Sequence, residues 1–204
     1  MLIRILAFIW SKLYSYTFSL KIGIIYNKFY THWLSTELKS IGEKSILNSP
    51  IDLGGGRYIS IGNNSGICSN TILSAWDTYL EDHFNPEISI GDNVWIGEDA
   101  HITAINQIRI GNGVLIGKKV TITDNSHGVT DETILTSPPI KRRLHSKGPV
   151  IIDDNVWIGD KVTILPNVRI GRNSIIGANS VVSKDIEANS IAIGIPARVI
   201  KVIK

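Results

Sequence analysis

The chain has 204 residues, 43% of them hydrophobic, and a formal net charge of +3. That length makes one domain, or one domain with a terminal extension, and it is enough to bury a core of ordinary size. The single cysteine, Cys68, excludes an intrachain disulfide and a cysteine-built metal cluster; it reads as a small buried hydrophobe, which fits a reducing cytoplasm.

The charge is unevenly placed. Residues 1–40 carry Arg4, Lys12, Lys21, Lys28 and Lys39 against Glu37 alone, a balance of +4, while the rest carries 16 basic and 17 acidic groups, a balance of −1. A near-neutral body excludes wholesale nucleic-acid binding, so no nucleic-acid partner is expected. Residues 1–45 form an N-terminal segment of their own. Ile5, Phe8, Ile9, Lys12, Leu13 and Tyr16 have helical spacing. Lys12 and Lys21 interrupt any apolar run of the roughly 18 residues a membrane span needs. No small-residue cleavage site follows a clean apolar run, so a secretory signal is not expected. Two roles are open and compatible. The segment caps the end of the body or of a neighbouring subunit, or it lies on an anionic membrane with Trp and Phe buried and Lys and Arg at the headgroups. The expected location is cytoplasmic, peripheral on the inner face of the membrane.

Residues 46–192 carry a six-residue rhythm. The beats fall at Ile90, Ile96, Ile102, Ile110, Ile116 and Ile122, then at Ile152, Ile158, Ile164, Ile170, Ile176 and Val182. Glycine follows directly at Gly91, Gly97, Gly111, Gly117, Gly159, Gly171 and Gly177. Hexads of this type build an all-β parallel β-helix of triangular section, three hexads to a coil, with the aliphatics stacked inward. With Ile90, Ile110, Ile152 and Ile170 as coil starts, His127 falls between Gln107 below and Arg169 above. His101 stacks under Thr121. Residues 73–88 and 128–149 break the rhythm and are expected to protrude as two loops, the places on a solenoid that tend to carry function. Residues 193–204 form a closing segment.

The run Ile152-Asp-Asp-Asn-Val-Trp-Ile-Gly159 to Ile186 resembles the hexapeptide-repeat acyltransferases, and Gly194-Ile-Pro-Ala-Arg198 resembles their closing element. Within that family the chain is most similar to the maltose, galactoside and polysaccharide O-acetyltransferases. The resemblance covers about residues 59–203. It implies a left-handed β-helix, acetyl-CoA as acyl donor, and a homotrimer with active sites between subunits. Ile110-Gly-Asn-Gly-Val-Leu-Ile116 is followed by His127 at the family's distance for the catalytic histidine.

A histidine near its ordinary pKa suits removal of a hydroxyl proton at neutral pH, so His127 is the expected general base. Asp124 or Asn125 is expected to orient its ring, although both residue types are also ordinary turn formers. For the donor, the resemblance points to Trp157, Gly159, Asp160, Ala178, Ser183, Lys184, Arg198 and Lys201. Lys184, Arg198 and Lys201 would meet the phosphates. Gly159 and Ala178 would let the pantetheine approach the backbone, and Trp157 would offer a flat apolar face, or simply pack on the next coil. Asp160 departs from the small neutral residue common there. No metal is expected, because His83, His101, His127 and His145 do not converge by this stacking. The family's further histidines after the catalytic one are replaced by Gly128-Val-Thr-Asp-Glu132. A longer loop follows with Lys141-Arg142-Arg143, which meets an acidic sugar or a phosphate-linked carrier, or is a solvated loop.

The expected activity is acetyl transfer from acetyl-CoA to a sugar hydroxyl in surface-polysaccharide assembly. N-acylation of an amino sugar nucleotide is the enzymatic alternative, and a non-catalytic β-helix scaffold is the alternative of another class.

Overall fold

The computed structural model describes residues 1–129 and 137–203. Two helices come first, α1 (Leu2–Leu13) and α2 (Tyr16–Ser35). The Ser15 side chain accepts from Phe18 N and starts α2 by satisfying a donor the helix cannot. Short strands then climb in triangular coils. Sheet A contains Ser40–Ile41, Ile59–Ile61, Glu87–Ile90, Gln107–Ile110, Val150–Ile152 and Val168–Ile170. Sheet B starts with Ile46–Leu47, Gly66–Ile67, Trp95–Ile96 and Leu115–Ile116 and continues through Trp157–Ile158 and Ile175–Ile176. Sheet C contains Ile51–Gly54, Thr71–Ala75, His101–Ala104, Thr121–Thr123, Thr163–Ile164 and Val181–Val182. Neighbours in each of these runs are parallel and in register.

The stacked aliphatics are the core. Ile90, Ile110, Ile152 and Ile170 superpose in sheet A; Ile96, Ile116, Ile158 and Ile176 in sheet B; Ile102, Ile122, Ile164 and Val182 in sheet C. All are buried, each contributing about 1.5–3 kcal/mol by transfer from water. A second inward position lies two residues before each beat. Val94, Ala100, Val114, Val120, Val156 and Val162 fill it and are buried too. The corner between them needs a left-handed residue, which Asn93, Asp99, Gly113, Lys119, Asn155 and Lys161 supply at φ 56–66°; asparagine and glycine adopt that conformation at least cost. Glycine after the beat has a steric reason. A Cβ on Gly117 would lie 2.7 Å from the Asp160 backbone nitrogen of the coil above.

α2 caps the lower end. Tyr30, Thr31 and Leu34 are buried against the first coil. Tyr30 Oη accepts from Ile51 N at 2.9 Å, Thr31 Oγ1 from Leu47 N at 2.8 Å, and Asn27 Oδ1 from Ser49 N at 3.1 Å. Donors at the open end are thereby satisfied. α1 buries none of its side chains. Neither helix is long and apolar enough to cross a membrane. The upper end closes with an antiparallel hairpin, Ser190–Gly194 with Ala197–Val202, added to sheet B.

Several expectations change. The coils begin at Ser40, not residue 46, because Ser40 and Ile41 already pair with Ser60 and Ile61. The closing segment likewise starts before residue 193, within Ser190–Gly194. Ser74 and Ala75 continue sheet C opposite Thr103 and Ala104, so the first departure starts after Ala75, not at residue 73. It contains an antiparallel hairpin, Thr78–Tyr79 with Asp82–His83. The second departure opens as an antiparallel pair, Ser126–His127 with Leu144–His145, and residues 130–136, including the Thr130-Asp-Glu132 part of the expected acceptor loop, lie outside the described residues. His127 is not stacked between Gln107 and Arg169. Gln107 pairs with Glu87 and Arg169 with Ile151. The corner from sheet C to sheet A is longer in the lower coil (Ile102 to Ile108) than in the upper (Ile164 to Val168), which shifts the count. His101 does pair with Thr121.

Candidate active site

His127 lies exposed on its two-residue strand, opposite Leu144. Gly128 N donates to Arg143 O at 2.8 Å and continues the pairing. The Tyr79 ring meets the imidazole edge-on, with centroids 5.4 Å apart and planes at 71°. Tyr79 Oη donates to Ile140 O at 2.7 Å, and Arg143 Nε pairs with Asp82 Oδ1 at 3.1 Å. The hairpin of the first departure and the returning arm of the second are thus clasped together beside His127.

The hairpin is anchored at its base. Tyr58 Oη donates to Asp77 Oδ2 at 2.9 Å, the Arg57 guanidinium pairs with the same carboxylate, and Phe84 N donates to Asp77 O at 2.8 Å. The Tyr58 hydroxyl first, and then Arg57, hold the Asp77 carboxyl below the usual range. Sequence reasoning passed over Tyr79, Asp77 and Asp82. Their only signal was position in the break at 73–88; nothing in the spacing said which departure they would meet.

Asp124 is fully buried. Its Oδ1 accepts from Ile105 N at 2.9 Å and its Oδ2 from Asn106 N at 2.8 Å. Asn125 Nδ2 donates to Asp124 Oδ1 at 3.0 Å and to Thr103 O at 3.3 Å. Both side chains therefore tie this corner to the coil below. Among the described residues no hydrogen bond joins either to His127. A buried carboxylate demands such donors, and two backbone amides meet that demand.

The residues expected at the donor divide between two places. Trp157, Gly159, Asp160 and Ala178 lie on sheet B and the corner after it, and Arg198 and Lys201 on the hairpin that extends sheet B. Ser183 and Lys184 lie on the C-to-A corner, where they line a hollow of about 520 Å³ with Asn167 and Arg169. In a triangular coil that corner is opposite sheet B. A single copy therefore does not bring the eight together. Trp157 is 51% exposed, in register with Leu115 and Trp95 on the outer face of sheet B, which are 45% and 46% exposed. Gly159 has a structural reason of its own: a Cβ there would meet Ala178 N at 2.7 Å. Asp160 Oδ1 accepts from Lys118 N at 2.8 Å, which explains the departure from a small residue. Arg198 Nη1 donates to Ala197 O at 2.8 Å.

A cavity of about 840 Å³ opens at the residue after His127. Gly128, Val129, Ile105, Asn106, Leu144 and His145 form part of its wall, and Lys141, Arg142 and Arg143 also line it. The Asp124 carboxylate holds the amides of two of these, Ile105 and Asn106. Among the described residues no group of three or more His, Cys, Asp or Glu is placed to hold a metal ion.

Residues 149–184 match the model of the bacterial transferase hexapeptide (six repeats). Over those residues the chain is similar to the hexapeptide-repeat transferases. With three parallel sheets, the fold is the left-handed β-helix, which lies outside the right-handed crossover rule. It is 41% identical over 118 residues to WbbJ of Escherichia coli (strain K12), whose name assigns it to O-acetyl transfer in lipopolysaccharide biosynthesis. That match covers 56% of this chain and 60% of the relative. It is 35% identical over 127 residues to the galactoside O-acetyltransferase of the same organism, covering 55% of this chain and 63% of the relative. The chain thus spans less than two thirds of the length of either relative. Among solved structures it is similar to AntD, an N-acyltransferase from Bacillus cereus crystallised with dTDP and 3-hydroxybutyryl-CoA. The TM-score is 0.70 at 23% identity, over 86% of this chain and 88% of that one. It is also similar to the hexapeptide-repeat acetyltransferase VCA0836 from Vibrio cholerae, with a TM-score of 0.57 at 25% identity, over 87% of this chain and 81% of that one.

Proposed function

We propose that the protein is an acetyl-CoA-dependent O-acetyltransferase that acylates a sugar hydroxyl in surface-polysaccharide assembly, with His127 as general base. The observation that carries this is His127 itself. It is the histidine at the break of the hexapeptide rhythm, held by Tyr79 and the Leu144 strand, and the next residue, Gly128, lines a cavity of ligand size. The imidazole accepts the proton of the acceptor hydroxyl as its oxygen attacks the thioester carbonyl, and the CoA thiolate leaves and is protonated. The names of the two Escherichia coli relatives support O-acetylation and the carbohydrate acceptor.

The donor site forms between copies. Trp157, Gly159, Ala178, Arg198 and Lys201 on one copy face the His127 corner of the next, with Ser183 and Lys184 completing the cleft. The split of these residues between sheet B and the opposite corner supports this. So does the half-exposed column of Trp95, Leu115 and Trp157, an apolar face of the kind that marks a subunit interface. The expected assembly is a homotrimer. Arg198 and Lys201 supply positive charge for the phosphates, and Trp157 an apolar face for the pantetheine. Asp124 and Asn125 act through the corner they tie down, placing His127 rather than touching it. Cys68 fits a cytoplasmic setting, and α1 lies on the inner face of an anionic membrane. Leu2, Ile5, Phe8, Ile9 and Trp10 are exposed on it beside Arg4 and Lys12.

A panel of hydroxyl and amino sugars with acetyl-CoA, read by mass and by lability of the product to mild base, tests the reaction class. Base-labile esters support O-acetylation. Base-stable amides move the activity to N-acylation, the chemistry named for the Bacillus cereus neighbour. No product and no CoA binding leave a scaffold.

A further inference from the structure

We propose that the hollow between α2 and the lowest coil is a binding site for a phosphate group, with the backbone amides of Lys44 and Ser45 and the side chains of Lys28, His32 and Lys44 as its donors. The site shares no residue with the His127 corner and does not rest on the acetyltransferase function proposed above.

The lower end of the β-helix presents backbone donors. At the corner between sheets A and B, the amide of the left-handed residue points down and donates to the coil below. Asn64 N donates to Glu43 O at 2.9 Å, Asn93 N to Asn63 O at 2.9 Å and Gly113 N to Asp92 O at 2.8 Å. The next amide also points down in the lower coils, Ser65 N to Ser45 Oγ at 2.9 Å and Val94 N to Ser65 Oγ at 3.0 Å. Lys44 is the left-handed residue of the lowest coil, at φ 60°, and no coil lies beneath it. α2 takes up the amides of Leu47, Ser49 and Ile51 through Thr31, Asn27 and Tyr30. Among the described residues it offers no acceptor to Lys44 N or Ser45 N. Successive amides at such a turn make an anion-binding concavity.

A hollow of about 610 Å³ lies at this corner, bounded by α2 on one side and residues 41–46 on the other. Lys28, His32 and Ser35 line it from the helix. Their spacing of four and three places them on one face, so the hollow runs along the side of α2. One carboxylate, Glu43, also lines it, and its own amide is already taken by Asn63 Oδ1 at 2.8 Å. Neither Glu43 nor Lys28 nor Lys44 is in an ion pair among the described residues. Two ammonium groups, an imidazole N–H and two amides therefore stand against one carboxylate. A phosphate suits this set, because its tetrahedral oxygens meet donors on several sides at once, and charged acceptors bind such donors most strongly.

This chemistry has two sources, the headgroup of an anionic phospholipid and a soluble phosphate. Phe29 and Trp33, next to Lys28 and His32 in sequence, are exposed, and residues 1–36 contain no Asp or Glu. Both features favour the phospholipid, whose acyl chains would lie on the apolar face of α2.

The test uses the full chain and the double variant Lys28→Gln/Lys44→Asn, in which asparagine keeps the left-handed corner. Equal thermal midpoints establish that the variant is folded. Calorimetry with inorganic phosphate, glycerol 3-phosphate and a short-chain phosphatidylglycerol below its micelle concentration reads binding. Affinity is expected to fall on the order of 10- to 100-fold in the variant, the loss of two charged donors. Hydrogen exchange in the native protein should slow over residues 42–47 when the tightest of the three ligands is bound; should the variant lose its midpoint, this measurement decides alone. Tighter binding of phosphatidylglycerol than of glycerol 3-phosphate identifies the lipid source and equal affinities the soluble one, and either supports the site. Unchanged affinity in the folded variant, no binding of any of the three by the native protein, or exchange that slows elsewhere and not over 42–47 overturns it. Phosphate binding by a chain that does not sediment with anionic vesicles keeps the site and removes the membrane role of α1. Sedimentation without phosphate binding does the reverse.

Discussion

Replacing Tyr79 tests whether the hairpin positions the imidazole. Tyr79 makes two contacts at the site, the edge-on approach to His127 at 5.4 Å and the hydrogen bond to Ile140 O at 2.7 Å. The aromatic contact is worth about 1 kcal/mol, mid-range for such pairs. The hydrogen bond is exposed and is worth about 0.5 kcal/mol, the low end of its range. If both act to hold the ring in its reactive position, Tyr79→Ala raises the barrier by about 1.5 kcal/mol, a fall of roughly tenfold in kcat. Tyr79→Phe keeps the ring contact and loses only the hydrogen bond, a fall of about twofold. Steady-state thiol release at saturating acetyl-CoA measures both. A hairpin that were only decorative would leave kcat of Tyr79→Ala within error of the native protein, and the positioning role would be refuted.

Ile158 is fully buried between Ile116 and Ile176, so Ile158→Ala should destabilise the fold by about 2–5 kcal/mol. Guanidinium unfolding should show this as a lower midpoint at unchanged slope, and a loss below about 1 kcal/mol would contradict a tightly packed prism. Asp77 is expected to give the hairpin an acid-sensitive anchor. Its folded pKa is depressed by Tyr58 and Arg57, so its contribution is complete above the unfolded value of about 3.9 and is lost as pH falls through the folded value. Near-ultraviolet circular dichroism should therefore be flat from neutral pH to about 4 and change below it, and Asp77→Asn should remove that acid step. For α1, cosedimentation with anionic vesicles should capture the native chain and release Phe8→Glu/Trp10→Glu, with weaker capture at high salt; a native chain that stays in the supernatant would exclude the membrane role.

The β-helix was legible in the sequence because one physical requirement repeats. An inward aliphatic, a glycine the next coil can approach and a left-handed corner recur every six residues, as at Ile158, Gly159 and Lys161. The same spacing placed His101 opposite Thr121 correctly. It failed at the corner between sheets C and A, where coils differ in length without changing the beat, so Gln107 and Arg169 could not be placed by counting. The second inward position was hidden because valine, alanine and serine there look like ordinary small residues. His127 stood out as a break in the rhythm. Its surroundings did not, because Tyr79 and Ile140 are far apart in sequence and meet only through two antiparallel excursions. Asp124 looked like an orienting carboxylate beside a histidine. Which donors a carboxylate finds depends on the neighbouring coil, and here they are the amides of Ile105 and Asn106.

The central claim is that His127 is the base for acetyl transfer, and the most direct measurement is acceptor-dependent thiol release from acetyl-CoA by the native protein and by His127→Ala. The site described here predicts turnover in the native protein and a fall of roughly 10²–10⁴-fold in the variant, the contribution of a positioned acid–base group, with the thermal midpoint unchanged because His127 is exposed. Equal turnover by the two proteins would contradict it.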